Sequence, residues 1–577
     1  MAKSETRPNI ILILTDDLGY GDLRCHGNDK VRTPNLDRLY KESIRFTRFY
    51  TSPLCSPTRA GLLTGRYEYR SGVRATVGGR ELLRPDEYTM AEIFLMAGYR
   101  TGIFGKWHLG DNYPLRAIDR GFQETLVHGG GGIGQTPDAW GNTYFNPVLC
   151  HNGKWEKFEG YCTDIFFEAA MRFIEKNKNN PFFVYIPTNA PHTPLQAPEE
   201  YIEPYRKMGL TERLARYYAM ITNIDYNIGR LIEKLQELGL DHRTLVIFMS
   251  DNGAATYLFG SQYYNAGLRA HKGTVYEGGI RVPCFFRWPD VFEPKDIDRI
   301  VAYIDILPTL LDTCHIPKPA GISFDGLSLI PLILGKEVEW PDRFLFIQRG
   351  NVPDEQLYRN GAVISQRYKL VYWNELYDLE VDPGETTNIV KEYPELVERM
   401  RKAYDAWWKN VSTGLRDPVR IHVGSIRENP VLLTCHDWWG VPVSRTWWRQ
   451  DMIIKKAKTE LEGNGYWEIY ITRTGRYKIT LYKCHPQAKD ELKVLKQGTA
   501  RLKVGNIEVT QPIKEGATSI TFHINLEAGL ARLQTFLSGQ RKDGKEVGAF
   551  FVEIEYLDGP NYIEYAGTRH SSDFDVC

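Results

Sequence analysis

Two short segments limit what this chain can fold into. Residues 9–15 (NIILILT) and 244–249 (TLVIFM) are rich in Ile, Leu, Val and Phe and show little alternation between apolar and polar positions. A strand that is apolar on both faces must be covered on both faces, which is the situation of a parallel strand in an α/β sheet. Residues 99–104 and 182–186 have the same texture, and amphipathic stretches lie between them. The first part of the chain is therefore expected to form a large mixed, mostly parallel sheet flanked by helices. The longest amphipathic stretch, 212–238, repeats apolar residues at helical spacing from Leu214 to Leu238 and stops at Gly239. It predicts a helix whose stripe packs in the core, with a partner-binding face as the alternative.

Both segments run directly into oxygen-bearing pairs. Asp16 and Asp17 follow the first, Asp251 and Asn252 the second. Open α/β sheets hold their ligands at the carboxyl ends of the strands. Adjacent carboxylates repel one another unless a cation lies between them. The four residues make an all-oxygen donor set that suits Ca²⁺ or Mg²⁺ and gives no hint of zinc, the alternative being two solvated turns.

The whole chain has 577 residues, enough for more than one core. Its 72 Lys+Arg against 72 Asp+Glu give a formal charge of zero, which argues against a general nucleic-acid coat but leaves room for a local basic pocket. Nine cysteines from Cys25 to Cys577 include no CxxC pair, so neither a zinc cassette nor a dense disulfide framework is expected. No apolar run reaches the roughly 18 residues of a membrane span. The N-terminal residues carry no signal peptide with a cleavage site. The protein is expected to be periplasmic or secreted if a leader has been removed, and cytoplasmic otherwise.

The texture changes near Asp342. Residues 362–373 and 375–379 read as strands and 394–409 as a helix, a small α+β unit. Beyond about Gly414, strand-like runs separated by Gly, Asn and Asp turns predict an all-β domain, a sandwich. The expected division is 1–341, 342–414 and 415–577. Four tryptophans, Trp438, Trp439, Trp447 and Trp448, stand near the start of the last segment. They form either a sugar-stacking platform or a packed interface with the first domain.

The most informative segment is Cys55-Ser56-Pro57-Thr58-Arg59-Ala60-Gly61-Leu62-Leu63-Thr64-Gly65-Arg66. Cys55 precedes a predicted helix and Arg59 lies about one turn on, so thiol and guanidinium share a face beside a helix N-terminus, a place for an anion. A buried structural cysteine is the plain alternative. Cys-x-Pro-x-Arg followed by Thr-Gly-Arg closely resembles the signature of the sulfatase family, formylglycine-dependent enzymes of the alkaline phosphatase superfamily. Gly105-Lys106-Trp107-His108-Leu109-Gly110, Pro191-His192 and Lys272 within the run from His271 to Pro283 resemble further motifs of that family. The i, i+2 spacing places Lys106 and His108 on one side of an extended segment. The resemblance runs from about residue 8 to 388. Departures from it are Ala270-His271 and Cys25-His26, both expected to border the substrate, with His271 a selectivity residue.

The resemblance implies a sulfuric ester hydrolase whose Cys55 is oxidised to Cα-formylglycine by a maturation enzyme. It implies Ca²⁺, with Mg²⁺ second, held by Asp16, Asp17, Asp251, Asn252 and residue 55. Arg59, Lys106 and Lys272 would hold the sulfate oxygens, while His192 with Lys272 protonates the leaving oxygen. His108 would deprotonate the second hydroxyl of the aldehyde hydrate. The appended β-rich region resembles those of bacterial enzymes acting on sulfated polysaccharides, so the expected substrate is a sulfated saccharide. The rival readings are a phosphonate or phosphate ester hydrolase of the same superfamily and a sulfoglycan-binding protein in which Cys55 remains a thiol.

Overall fold

The computed structural model describes residues 7–335, 340–352, 354–415, 417–442 and 449–559. The first part is organised on a ten-stranded sheet. Its centre runs Thr244–Ser250, Asn9–Thr15, Phe182–Pro187, Arg100–Lys106, Glu124–His128, every neighbouring pair parallel. Antiparallel strands flank this centre, Cys284–Arg287 on one side, with Ile44–Phe46 and the edge strand Lys295–Ile297 beyond it, and the hairpin Val148–His151 with Lys154–Lys157 on the other.

Asn9–Thr15 explains why alternation is missing from its sequence. Ile10, Leu12 and Leu14 enter the core on one face of the sheet, while Ile11 and Ile13 enter the core on the other. The helices Cys55–Thr64 and Ile306–Thr313 cover the first face; Cys162–Lys176 and Glu212–Glu237 cover the second. The apolar stripe of Glu212–Glu237 is buried and belongs to the core, as expected. Parallel strands end on a common edge, and the register Thr15↔Ser250 sets Asp16 beside Asp251.

A four-stranded antiparallel sheet, Leu345–Gln348, Gly361–Ile364, Tyr368–Val371 and Glu375–Asp378, carries the helix Pro394–Val411 and shares its core with the first face. The run 362–373, read from sequence as one strand, is two strands. The polar triplet Ser365-Gln366-Arg367 turns the chain, closed by Ser365 N–H donating to the Tyr368 carbonyl at 2.8 Å.

The C-terminal region is the expected sandwich of two sheets. One holds Gly498–Val504, Ile507–Ile513 and three further strands; the other holds Gly475–Tyr482, Phe551–Tyr556 and two more. Here alternation is plain: Ala500, Leu502 and Val504 share a third core with Tyr477, Ile479 and Leu481, while Arg501, Lys503 and Lys478 between them lie outside it. Trp438 is buried in this core and Trp439 packs beneath the Arg80 guanidinium at 4.6 Å. Trp438 is thus packed, while Trp439 is half-buried between Arg80 and a surface cavity. Trp447 and Trp448 lie outside the described residues. Among the described residues, no helix is long and apolar enough to cross a membrane, and the eight cysteines are free thiols.

Candidate active site

The two oxygen-rich pairs meet where the sheet topology directs them. Asp251 N–H donates to the Thr15 carbonyl at 3.0 Å and Asp17 N–H to Asp251 Oδ1 at 3.2 Å. Asn252 Nδ2 donates to Asp17 Oδ1 at 2.8 Å. The helix stripe contributes too, because the Tyr217 hydroxyl donates to the Asp17 carbonyl at 2.8 Å.

Each carboxylate carries its own cation. Lys106 Nζ donates to Asp16 Oδ2 at 2.7 Å, Lys272 Nζ to Asp17 Oδ2 at 2.7 Å, and Arg59 Nη2 to Asp251 Oδ2 at 2.8 Å. Charges this deeply buried are tolerated only when paired. Burial alone would raise the Asp17 carboxyl, but Lys272 and Lys106 hold it below the usual carboxylate range. Burial and the neighbouring Asp16 push Asp251 up to about 6 against the pull of Arg59 and Lys106. Despite the pairing, Asp16 Oδ1 and Asn252 Oδ1 are buried without a hydrogen-bond partner. Donor atoms of Asp16, Cys55 and Asp251 lie within 4.8 Å of one another. The set fits a hard divalent cation, which would satisfy the orphaned oxygens.

Cys55 opens the helix Cys55–Thr64, all ten of whose residues are buried. The helix ends at Gly65 because that residue takes the left-handed conformation (φ 66°) needed to return its N–H to the Gly61 carbonyl. Cys55 Sγ stands 3.4 Å from His108 Nδ1. Burial raises the thiol, with Lys106 and Lys272 opposing.

His108 departs from the extended segment read from the sequence. The strand Arg100–Lys106 stops at Lys106, and His108 is left-handed at φ 60°. It still reaches the site, while Trp107 turns away to donate to the Leu115 carbonyl at 2.9 Å. His108 Nε2 lies 3.0 Å from the Thr76 carbonyl. A carbonyl only accepts, so Nε2 carries the hydrogen and the Nδ1 lone pair faces Cys55. Burial and the Lys106 charge hold this imidazole well below its ordinary value. By the same reasoning His192 Nδ1–H donates to the Thr193 carbonyl at 2.7 Å, and Nε2 faces Asp17 Oδ2 at 3.8 Å. Burial and Lys272 lower His192 to about 3.

A cavity of about 460 Å³ opens over this floor. Asp17, Cys55, His108, His192, His271 and Lys272 line it; Asp16, Arg59, Lys106, Asp251 and Asn252 are fully buried behind. His271 stands with its ring 5.0 Å from that of Tyr257. His26 does not border the cavity. It stacks on Tyr20 at 4.0 Å and packs edge-on against Tyr40 and Phe285, where burial lowers it to about 4. Thr76, Gln135, Tyr257, Arg349 and Asn351 also face the cavity and were not legible as site residues. For Gln135 a signal existed: the glycine run 129–132 just before it marks a backbone that must approach something closely.

The sulfatase family model matches residues 8–316, more than half of the chain. The chain belongs to the sulfatase family. As a sulfatase it is a hydrolase of sulfate esters, and a second family model, N-sulphoglucosamine sulphohydrolase C-terminal, matches residues 270–408. The sulfatase is 32% identical to human N-acetylgalactosamine-6-sulfatase over 378 residues, covering 60% of this chain and 69% of that one. It is 28% identical to the N-acetylgalactosamine-6-O-sulfatase of Bacteroides thetaiotaomicron over 498 residues, 70% of this chain and 94% of the relative. Among solved structures, that of Ps i-CgsB in complex with k-i-k-neocarrahexaose matches with a TM-score of 0.65 and 30% identity, covering 71% of this chain and 94% of that one.

Proposed function

We propose that this sulfatase removes sulfate from a sulfated saccharide, using a formylglycine made from Cys55 and a bound Ca²⁺. The observation that carries the reading is the position of Cys55 Sγ, 3.4 Å from the unprotonated nitrogen of His108 on the floor of a cavity beside Lys272. The saccharide class is supported by the names of the relatives.

Asp16, Asp17, Asp251 and Asn252 would hold the cation, which when bound screens the charge of an anionic ester and acts as a Lewis acid. Residue 55, once converted, supplies a geminal diol, a nucleophile whose second hydroxyl offers a way to release sulfate. Lys106, Lys272 and Arg59 set a positive field behind the place where the ester sits, stabilising charge that develops on its oxygens. His108, neutral and with Nδ1 toward residue 55, is placed to take a proton there. His192 is neutral in the free site. An anionic ester beside it would offset the cations that keep it so, raising its proton affinity and readying it with Lys272 to protonate the leaving oxygen.

The test is sulfate release from a panel of sulfated mono- and oligosaccharides, with matched phosphate esters, using protein whose formylglycine content at residue 55 is measured by mass spectrometry. Release should scale with formylglycine content. Faster turnover of phosphate esters, or release by a chain bearing only the Cys55 thiol, would defeat the proposal.

A further inference from the structure

Gln450 opens the helix Gln450–Lys458 in the C-terminal region, yet its side chain is buried against loop 129–141 of the large sheet. Its Nε2 lies 2.9 Å from the carbonyls of Gln135 and Asp138 and 3.1 Å from that of Ala139. Its Oε1 accepts from Gly141 N–H at 2.8 Å, and its own backbone N–H donates to the Gly134 carbonyl at 3.2 Å. One residue thus gathers four carbonyls and an amide of a single loop.

That loop packs on both active-site histidines. A Cβ on Gly131 would stand 2.3 Å from His108 Cε1, and one on Gly132 would stand 3.0 Å from His192 Nδ1. Gln135 returns its Oε1 to Gly131 N–H at 2.7 Å and lines the cavity. The rings therefore rest directly on loop backbone, with no side chain between. Residues 129–132 are four glycines, the residue type that loses most conformational freedom on ordering. Their position must be held by contacts from outside the run.

We infer that Gln450 is a positioning residue for the reaction: by anchoring the glycine loop from the C-terminal region, it fixes the aim of His108 and His192. This rests on the roles proposed above for the two histidines. The appended region is then part of the catalytic apparatus, acting through a loop and touching no substrate.

The test compares wild type, Gln450→Ala and Gln450→Glu in the full chain, each normalised to formylglycine content. The glutamate keeps an acceptor for Gly141 but turns an anion toward three carbonyls. Both variants should lose about tenfold in kcat on an aryl sulfate, with KM within about twofold, because small misplacements of reacting groups are costly in rate. Amide exchange across 129–141 should accelerate. Gly131→Ala, which presses on His108 from the loop itself, should reproduce the kcat loss. Unchanged kcat in Gln450→Ala, or unchanged loop exchange, overturns the inference, as does a loss fully explained by a smaller folded fraction. A wild type that releases no sulfate from any ester defeats the proposed function instead, and loop exchange then still decides whether Gln450 is the anchor.

Discussion

The large sheet and the C-terminal sandwich are built from similar residues to different effect. In the sheet, neighbouring strands at the centre run the same way, so the residues that follow them collect at one edge. Asp16, Lys106 and Asp251 come from separate strand ends and lie within one cluster of ion pairs. In the sandwich, almost every neighbouring pair is antiparallel, so successive turns go to opposite ends and no such convergence arises. Parallel topology concentrates chemistry, whereas antiparallel topology distributes it. The C-terminal region reaches the active site from its flank, through Gln450, through Arg449, which pairs with Gln135, and through His436, whose carbonyl accepts from Gly78 N–H at 2.6 Å.

This difference predicts that substitutions at the sheet edge remove activity outright, whereas those on the sandwich side cost stability or, at Gln450, a smaller share of the rate. The sharpest case is Cys55→Ala, which should abolish turnover by about 10⁴-fold or more with the thermal midpoint nearly unchanged; residual activity near wild type would refute the nucleophile. Asp251→Asn should follow, losing the bound cation as measured by metal analysis and about 10³-fold in rate. Full metal occupancy in that variant would remove Asp251 from the donor set. His108→Ala is expected to cost about 10²–10⁴-fold in kcat on the same substrates, the range of a lost proton-transfer group.

On the sandwich side, Nδ1 of buried His436 sits 3.1 Å from Glu81 and 3.2 Å from Asp437. Burial opposes its charge, but the two carboxylates win and raise it from 6.5 to about 10. A pKa raised on folding adds stability that is complete below 6.5 and is lost as pH climbs toward 10. His436→Gln should therefore cost about 3–5 kcal/mol near pH 6, and denaturant melts should show the gap closing at alkaline pH. A gap that widens instead would mean the imidazole is neutral when folded.

Legibility in the sequence follows the same division. Asp16, Asp17, Asp251 and Asn252 could be placed because each pair abuts a strand recognisable from its missing alternation, and topology does the rest. Helical spacing put Cys55 and Arg59 on one face but left a structural cysteine open; the run from Cys55 to Arg66, with its likeness to the sulfatase signature, made them readable as a site. The conformation of His108 was not, since nothing in Trp107-His108-Leu109 announces a left-handed residue. Arg349 and Asn351 were invisible for another reason. They reach the cavity only because the strand Leu345–Gln348 of the four-stranded sheet delivers them, a long-range placement no local pattern encodes. The grip of Gln450 on loop 129–141 joins positions more than 300 residues apart, again beyond any periodicity.

Cys55 is 2% exposed, and the walls around it come from segments near 76, 108, 131, 192, 272 and 349. A protein catalyst that acts on this thiol therefore meets it freely only while those later segments are still unmade or unplaced. On the function proposed above, conversion of residue 55 would then be a matter of timing during synthesis, bounded by emergence of the helix Cys55–Thr64 and arrival of residue 349.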